Sequence, residues 1–454
     1  MLLTASLAAL AARAAAHYQR LISFGSPDVN GQNPEAPLIQ GSDGALYGTT
    51  YYGGASNVGA VFKLNQDGTG YRVLHSFAGF AASDGERPLA GLVEGSDGAL
   101  YGTTRNGGSN NAGTIFKLHK DGSAYGVLLH FGAPGDGLNP YAGLVQASDG
   151  VLYGTTYAGG TNGVGTVFRL NRDGSGYGVR VHFGAPGDGR YPSAGLVEGS
   201  DGALYGTTRV GGTEGAGTVF KLNKDAATDS VLHNFSPFAD GQLPLAGVVE
   251  GSDGVLYGTT YYGGSNNVGT VFKLNKDASG YRVLLQFGAA GDGQLPWAGV
   301  VEGSDGALYG TTQYGGSDDL GTLFKLITDG SGYRILSSFS NSGGDGQRPQ
   351  GGLTKSSAGA FYGTTSGGGD FDLGTVFRLL PPETPDMIGV NVADGAAQVS
   401  FTGESGYQYQ LLRSTDLSHW SVLATITMPL PGVYTNADHS PPIPAAYYRA
   451  AWVP

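Results

Sequence analysis

The 454-residue chain contains no cysteine. A disulfide framework is therefore excluded, but the compartment stays open, since an exported protein can be constrained in other ways. Charged residues are scarce, at 14% of the chain, and the formal net charge is −12. A nucleic-acid partner would need a basic stripe, so this charge balance argues against nucleic acid and against an anionic membrane surface. No apolar run is long enough to span a membrane.

Motifs of common enzymes are also missing. The chain has no HExxH, Walker loop, GxSxG elbow or dinucleotide-binding glycine fingerprint. Its Asp-Gly turns each offer a single carboxylate, whereas a calcium loop concentrates several within a dozen residues. The histidines are not expected to lie close together in the fold that the sequence predicts. We therefore predict no metal site, no cofactor and no catalytic constellation.

Glycine, in contrast, is abundant, at 82 residues. It recurs at fixed places in seven copies of one phrase, close to GLVEGSDGALYGTT..GG....GTVFKL...GYRVL..F. The tyrosines of the YGTT segments are spaced by 54, 52, 52, 52, 52 and 53 residues, at Tyr47, Tyr101, Tyr153, Tyr205, Tyr257, Tyr309 and Tyr362. Each copy divides into four strand-sized runs between turn residues, which is typical of a β-propeller blade. In the second copy the predicted strands are 90–95, 99–104, 114–118 and 125–131.

The two ends of the repeat region predict how it closes. Residues 18–24 match a fourth strand that stands before any first strand, and the seventh copy ends at Leu379 after its third strand. The N-terminal strand should therefore complete the last blade. Residues 17–380 number 364, or seven times 52. These observations predict an all-β chain with a seven-bladed propeller closed by a three-plus-one arrangement of strands.

The segments outside residues 17–380 have different compositions. Residues 1–16 contain a short apolar stretch followed by small residues at 14–16, the pattern of a signal peptide, and this favours an extracellular, periplasmic or cell-surface location. A misassigned start or a frayed helix is the alternative. Residues 381–385 predict a proline-rich linker. Runs at 398–401, 407–413, 420–427 and 446–453 predict a small β-sandwich of the immunoglobulin or fibronectin type III kind over 386–454.

The repeat phrase resembles the GloVer-type tandem repeat of bacterial extracellular proteins. The resemblance covers residues 17–380, with YGTT intact in all seven copies. It implies a propeller associated with the bacterial surface, and it implies no catalytic residue. The tail, with its Tyr409–Asp416 run, is similar to the sandwich modules that end many secreted bacterial proteins.

The best functional signal lies where the copies disagree. The two residues directly after YGTT differ between copies, while the residues around them are nearly constant. They should enter the Gly-Gly loop on one face, and tyrosines alternating with arginines suit contact with sugar rings or with a protein. Unselected drift at exposed positions is the alternative. The candidate ligand-binding residues are Tyr51, Tyr52, Arg105, Asn106, Tyr157, Arg209, Tyr261, Tyr262, Gln313 and Tyr314.

We therefore expect a secreted or surface-located binding or scaffold propeller, monomeric, with a glycan or protein ligand on the face of the Gly-Gly loops. Two alternatives remain open. A carbohydrate-active enzyme of the polysaccharide lyase or lactonase type is supported only by analogy with other propellers. A purely structural component of the envelope or matrix would bind no small ligand.

Overall fold

The computed structural model describes residues 18–26, 30–225, 228–238, 240–340, 344–380, 387–393, 396–402, 408–416, 419–428, 433–439 and 446–452. Residues 20–357 and 362–377 form one compact unit, and residues 387–452 belong to a second unit. The predicted signal peptide and the predicted linker lie outside the described residues.

Each repeat forms a four-stranded antiparallel sheet whose strands lie side by side in the order first, second, third and fourth. Seven such sheets, here called I to VII in chain order, occur in the described chain. The first strands are Ile39–Gln40, Val93–Glu94, Val145–Gln146, Val197–Glu198, Val249–Glu250, Val301–Glu302 and Thr354–Lys355. The second strands are Leu46–Thr50, Leu100–Thr104, Leu152–Thr156, Leu204–Thr208, Leu256–Thr260, Leu308–Thr312 and Phe361–Thr365.

The third and fourth strands complete each sheet. The third strands are Ala60–Leu64, Thr114–Leu118, Thr166–Leu170, Thr218–Leu222, Thr270–Leu274, Thr322–Leu326 and Thr375–Leu379. The fourth strands of sheets I to VI are Arg72–Ser76, Gly126–His130, Gly178–His182, Ser230–Asn234, Arg282–Gln286 and Arg334–Ser338. Sheet VII takes its fourth strand, Tyr18–Ser23, from the start of the chain. The backbone N–H of Phe24 then donates to the carbonyl of Gly374 over 2.9 Å, so the predicted pairing of the N-terminal strand with the last repeat is present.

The second strand is the most buried element of each repeat, which explains its constant sequence. All five residues of Leu100–Thr104 are buried. A Cβ added at Gly102 would lie 2.5 Å from Cζ of Phe116 in the neighbouring third strand, so only glycine fits beside that ring. The predicted third strand 114–118 has the predicted bounds, whereas the first strand is shorter than predicted because Ala90–Leu92 belong to the connection before it.

The hydrophobic core lies between consecutive sheets. One cluster joins Tyr101, Ile115 and Phe131 of sheet II to Leu152 and Phe168 of sheet III. The rings of Phe131 and Phe168 pack edge to face with centroids 5.2 Å apart. Corresponding clusters join sheets I and II, III and IV, IV and V, and V and VI. This repetition gives an all-β, propeller-like arrangement.

Polar bonds join the same neighbours. The first threonine of YGTT donates from its buried hydroxyl to a main-chain carbonyl of the next sheet, over 2.9–3.0 Å. The pairs are Thr49–Ala90, Thr103–Ala142, Thr155–Ala194, Thr207–Ala246, Thr259–Ala298 and Thr364–Ala36. The last pair joins sheet VII to sheet I. The last and the first sheet are thus linked by the same hydrogen bond that links consecutive sheets elsewhere.

The second unit contains two three-stranded antiparallel sheets. Their strand orders are Met387–Ala393, Ala396–Thr402, Val433–Asp438 and Ser421–Thr427, Gln408–Ser414, Tyr447–Trp452. Val399 and Phe401 of one sheet and Tyr409 and Leu411 of the other form one buried cluster with Met428. Four of these strands match predicted runs, and two were missed. The missed strand Val433–Asp438 shows no regular alternation of apolar and polar residues that would mark it in the sequence.

Helix is nearly absent from the described chain. Its single helical segment is a three-residue 3-10 turn, Phe80–Ala82. No helix within the described ranges has the length and apolar character that crossing a membrane requires.

Candidate functional site

The connection that enters each first strand crosses the end of the second strand of the same repeat. In sheet II, Gly85–Glu86 pairs with Asn106–Gly107, directly after YGTT. The same pairing forms in sheets III, IV, VI and VII, and as single bridges between Gln32 and Tyr52 and between Gln242 and Tyr262 in sheets I and V. The variable residues after YGTT are thus held in a short antiparallel ladder.

A left-handed residue before a proline fixes this crossing. Arg87 precedes Pro88 and has a φ of 55°. Its N–H donates to the carbonyl of Val58 in sheet I over 2.8 Å, and its carbonyl accepts from the N–H of Arg105 over 3.2 Å. The left-handed conformation costs a non-glycine residue about 1–2 kcal/mol, which the two hydrogen bonds offset. The residue type varies among the repeats, but its φ stays between 52° and 56°, at Asn33, Arg87, Asn139, Tyr191, Leu243, Leu295 and Arg348.

These bonds fix the backbone of the variable positions whatever their side chains are. The N–H of the residue after YGTT bonds to the left-handed residue in all seven repeats, over 3.1–3.3 Å. Fold constraints therefore act on the main chain here and leave the side chains free to differ. Such a frame suits a binding site, because it holds exchangeable side chains on rigid backbone.

A cavity of about 890 Å³ lies where these connections meet, within residues 35–352. Its wall consists of the small residues that lead into the first strands, such as Ala90-Gly91 and Ala142-Gly143. A Cβ at Gly91 would approach the carbonyl oxygen of Pro37 to 3.0 Å, and one at Gly143 would approach that of Gly91 to 2.8 Å. Glycine therefore lets successive connections lie close together around the cavity.

Two variable sets of side chains line this cavity. The post-threonine set is the residue directly after YGTT in each repeat, and its lining members are Tyr51, Arg105, Tyr157, Arg209 and Tyr261. The post-proline set is the residue directly after the proline of each connection, and all its members line the cavity: Glu35, Leu89, Tyr141, Ser193, Leu245, Trp297 and Gln350. The sequence prediction missed the second set. The same signal, disagreement between copies beside constant residues, would have found it.

The ten candidate residues do not all reach the cavity. Tyr52 and Tyr262 line it together with the five post-threonine residues. Asn106, Gln313 and Tyr314 are not part of its lining. Gln313 is buried and accepts a hydrogen bond from the Tyr261 hydroxyl over 2.8 Å, while Arg348 lies over the ring of Tyr314 at 5.7 Å. Gln313 therefore supports the lining residue Tyr261, and Tyr314 contacts Arg348, which is not a lining residue.

Cationic and aromatic groups form a continuous row across sheets II to IV. The Arg105 guanidinium lies over the Tyr141 ring, 4.8 Å from its centroid. The Tyr141 and Tyr157 rings are 4.6 Å apart, and Nη1 of Arg209 lies 3.4 Å from the Tyr157 hydroxyl. Burial raises the pKa of Tyr141, with smaller effects from Arg105, Tyr157, Tyr51 and Arg209, so these groups share one electrostatic environment.

Further aromatic groups line the cavity in sheets I, V and VI. Tyr261 packs edge to face against Tyr262 at 4.7 Å and against Trp297 at 5.4 Å. Burial raises the pKa of Tyr261 to about 12, with smaller effects from Tyr262 and Tyr314. Trp297 is 38% exposed, so part of its ring is open to a ligand. Tyr51 and Tyr52 form a similar edge-to-face pair at 4.6 Å.

Glu35 is the single carboxylate among the described residues that line the cavity. Burial raises its pKa to about 7, against the opposing effect of the Arg105 charge. Desolvation disfavours the charged form of a carboxyl group, so Glu35 changes its charge near neutral pH. The cavity therefore holds two permanent positive charges and one negative charge that depends on pH.

Other acidic residues of the repeat have structural roles, as predicted for turn residues. Asp43 accepts hydrogen bonds from the Tyr47 hydroxyl over 2.7 Å and from Nζ of Lys63 over 2.8 Å. Although burial opposes the shift, these bonds lower the pKa of Asp43 to about 2. Asp84, in the connection that enters sheet II, likewise accepts from the hydroxyl of Tyr125 in the same repeat and from the N–H of Gly85. These carboxylates stabilise the sheets and are engaged within them.

A family model described as the Gloeobacter/Verrucomicrobia repeat matches three overlapping stretches of the chain, residues 10–146, 71–250 and 196–412. Comparison with curated proteins found no match. The BP39L lectin of Burkholderia pseudomallei is one similar solved structure, with 11% identity, a TM-score of 0.49, and coverage of 74% of this chain and 97% of the lectin.

A 6-phosphogluconolactonase-like protein of Bacteroides uniformis has 15% identity and a TM-score of 0.46, with 86% of this chain and 99% of that chain covered. The periplasmic gluconolactonase of Pseudomonas aeruginosa has 14% identity and a TM-score of 0.44, with 67% and 84% covered. Similarities at this level do not establish a shared site.

Proposed function

We propose, given that the chain belongs to the Gloeobacter/Verrucomicrobia repeat family, that it is a carbohydrate-binding protein of the bacterial cell exterior. The ligand would occupy the cavity lined by the post-threonine and post-proline sets. We further propose that sheets I to VII are the blades of a closed seven-bladed propeller, followed by a small sandwich of the immunoglobulin or fibronectin kind. The bond from Thr364 to Ala36, between the last and the first sheet, supports the closure.

The main observation in favour of a binding function is that the backbone around the cavity is nearly constant among repeats, whereas the side chains that line the cavity vary. The repeats keep nearly the same backbone bonds around the cavity, yet twelve lining side chains from the two sets differ among repeats. A purely structural repeat would be expected to keep one side chain that packs well seven times over. An asymmetric lining on a symmetric frame instead suits an asymmetric ligand.

The size and chemistry of the cavity favour a glycan of a few residues. Ligand sites for small molecules commonly have volumes of about 300–1,000 Å³, and the cavity, at about 890 Å³, is within that range. Six tyrosines and one tryptophan line it. Aromatic faces present apolar area beside a polar hydroxyl or N–H, which matches the mixed polar and apolar surface of a sugar ring.

A glycan array tests the proposal. Wild-type protein is compared with Tyr157→Ala and Tyr261→Ala, which remove aromatic area from two sides of the cavity. Loss of one aromatic contact should weaken binding by about five- to tenfold or more. Phe80→Ala is the matched control, because Phe80 is 50% exposed and does not line the cavity.

Binding by the wild type and by Phe80→Ala, with loss in both tyrosine variants, would support the cavity as the site. Binding that is indifferent to both tyrosine variants would overturn it. Failure of the wild type to bind any glycan would favour a protein ligand or the purely structural role instead.

Glu35 gives one specific observation in favour of an enzyme as the second candidate. A carboxyl group with a pKa near 7 can act as a general acid or base at neutral pH. Incubation of the array's best ligand with wild-type protein and with Glu35→Gln tests this role. Turnover by the wild type that Glu35→Gln abolishes would establish catalysis, and an unchanged ligand would leave binding as the function.

Export is a separate part of the proposal and has its own measurement. If residues 1–16 are a signal peptide, the mature protein should begin at His17. N-terminal sequencing of the protein from the culture medium or periplasm tests this. An intact N-terminus on a cytoplasmic product would contradict it.

A further inference from the structure

We propose, building on the carbohydrate-binding function, that the ligand is an acidic saccharide whose carboxylates pair with Arg105 and Arg209. Aromatic side chains alone would serve a neutral glycan. The two guanidinium groups make the cavity specific for a sugar acid such as a uronate.

The row across sheets II to IV presents both cations to one ligand. Arg105 stacks on Tyr141, Tyr141 lies against Tyr157, and Arg209 approaches the hydroxyl of Tyr157. The two guanidinium groups therefore flank a pair of tyrosine rings, and all four residues line the same cavity. A sugar ring resting on the tyrosines would bring its substituents within reach of the arginines.

Neither guanidinium is satisfied by an acidic side chain. Arg105 makes no side-chain hydrogen bond or ion pair with any residue that the structure describes, and its Nε is buried without a partner. Arg209 has the Tyr157 hydroxyl as its described contact, at the long distance of 3.4 Å. Several lysines of the repeat do have such partners. Lys63, for example, lies 2.8 Å from Asp43, and Lys276 lies 2.5 Å from Glu250.

Two half-buried arginines that have no carboxylate partner reduce the stability of the protein, unless a ligand supplies that partner. Arginine presents a planar fork of donors that fits a carboxylate with two parallel hydrogen bonds. The chain as a whole has a net charge of −12, so positive charge in the cavity is a local exception and does not reflect overall composition. An acidic ligand would supply the carboxylates that these two guanidinium groups can bind.

Glu35 makes the preference depend on pH. Among the described residues, the charged groups that line the cavity are Glu35, Arg105 and Arg209, with six tyrosines beside them. The Arg87 guanidinium lies over the rings of Tyr51 and Tyr52. Burial raises the pKa of Glu35 to about 7, so the carboxylate forms as the pH rises through neutrality. Above that pH its charge repels an acidic ligand and competes for Arg105. Acidic saccharides should thus bind more tightly at pH 6 than at pH 8.

Titration calorimetry with paired oligosaccharides tests the inference. The probes are galacturonate, glucuronate and mannuronate oligomers, each paired with its carboxyl-reduced form, which carries a primary alcohol in place of the carboxylate. Charge-assisted hydrogen bonds are worth more than neutral ones, so we expect at least one acidic oligomer to bind about tenfold or more tightly than its reduced form.

Three variants assign the preference to named groups. Arg105→Gln and Arg209→Gln should each weaken acidic binding by about tenfold or more while changing the affinity for the reduced form by less than about threefold. Glu35→Gln should remove the difference between pH 6 and pH 8. Arg282→Gln, at an exposed residue of a fourth strand, is the matched control and should change nothing.

The outcomes separate this inference from the binding function. Equal affinity for an acidic oligomer and its reduced form would overturn the acidic ligand while leaving a glycan site in place. Failure of every acidic oligomer to bind, when a neutral glycan binds on the array, would do the same. Failure of all glycans would overturn both. A preference that survives in Arg105→Gln and Arg209→Gln would show that the carboxylate is held elsewhere.

Discussion

The first threonine of each YGTT segment is buried, and in six sheets its hydroxyl donates to a carbonyl of the neighbouring sheet. The seventh, Thr311, is 1% exposed, as Thr103 is, but its hydroxyl has no hydrogen-bond partner among the described residues. Where the other sheets offer an alanine carbonyl, the next repeat has Gly351. The chain thus contains this threonine with its hydrogen bond to the next sheet, as at Thr103, and without that bond, as at Thr311.

Thr103→Val should therefore destabilise the protein by about 1–2 kcal/mol, because it leaves the Ala142 carbonyl without its donor. Thr311→Val is the internal control. It removes a hydroxyl that is already unsatisfied and should be neutral or slightly stabilising. The free energy of unfolding from urea titrations of the two variants measures the difference. Equal losses would mean that the hydroxyl bond does not contribute to the contact between sheets.

Asp229, directly before the fourth strand Ser230–Asn234, replaces the tyrosine that other repeats have at this position. Tyr125, Tyr177 and Tyr333 occupy that position elsewhere and donate to a buried aspartate of the connection that enters the same sheet. Asp229 instead brings a second carboxyl group towards Asp188. Burial, and next the charge of Asp188, raise the pKa of Asp229 to about 6.

Asp229→Asn should raise the free energy of unfolding at pH 7 by an amount on the order of 1–2 kcal/mol. The folded pKa of about 6 lies above the model value of 3.8, so the native state holds the proton more strongly than the unfolded state does. The destabilisation is thus absent below about pH 4, grows from about pH 4 to 6, and is complete above that range. Asp225→Asn, at an exposed neighbour, is the control and should be neutral. A gain that does not change between pH 4 and 7 would contradict this assignment.

At the scale of the element, the strand Tyr18–Ser23 and the following Phe24 decide whether the sheets form a closed series. Phe24 is fully buried and packs edge to face on Phe62 of sheet I at 5.4 Å. Phe131 occupies the same place in sheet II and packs on Phe168 at 5.2 Å. The strand taken from the N-terminus is therefore as well packed as an internal one.

Phe24→Ala and Phe131→Ala should lower the free energy of unfolding by similar amounts, about 3–5 kcal/mol, since each removes the same ring from an equivalent site. Thermal and urea unfolding of both variants provide the comparison. A loss for Phe131→Ala without a loss for Phe24→Ala would show that the N-terminal strand is not part of the stable fold.

The strands of the repeat were predictable because the sequence presents each element seven times. The third strand of sheet II has its predicted bounds, and the N-terminal strand was found from its register. The two-residue ladder of Gly85–Glu86 with Asn106–Gly107 could not be predicted, because its pairing depends on the left-handed Arg87 and not on any hydrophobic pattern.

The candidate site was predictable only in part. Comparison of the copies identified Tyr51, Arg105 and Tyr157, because fold constraints are weak where side chains vary. It also selected Gln313, which is variable but buried beneath Tyr261. Variation shows that a position tolerates change, but the direction of a side chain depends on the three-dimensional path of the connection.

At the scale of the whole molecule, the described residues that line the cavity all lie within 35–352. A chain that ends at residue 380 should retain the affinity of the full-length protein for the ligand within about twofold, since all lining residues remain. Calorimetry on the two chains measures this. A larger loss would show that the C-terminal unit contributes to binding.

The row from Arg105 through Tyr141 and Tyr157 to Arg209 joins residues of three successive repeats, and none of these repeats could build it alone. Its existence depends on which copy follows which. Two chains assembled from the same seven copies in a different succession would share composition, core and strand pairings, yet would present different chemistry to a ligand. Recombination between near-identical copies could therefore alter recognition without any point mutation. Under the proposed function, the order of the repeats would itself determine ligand specificity.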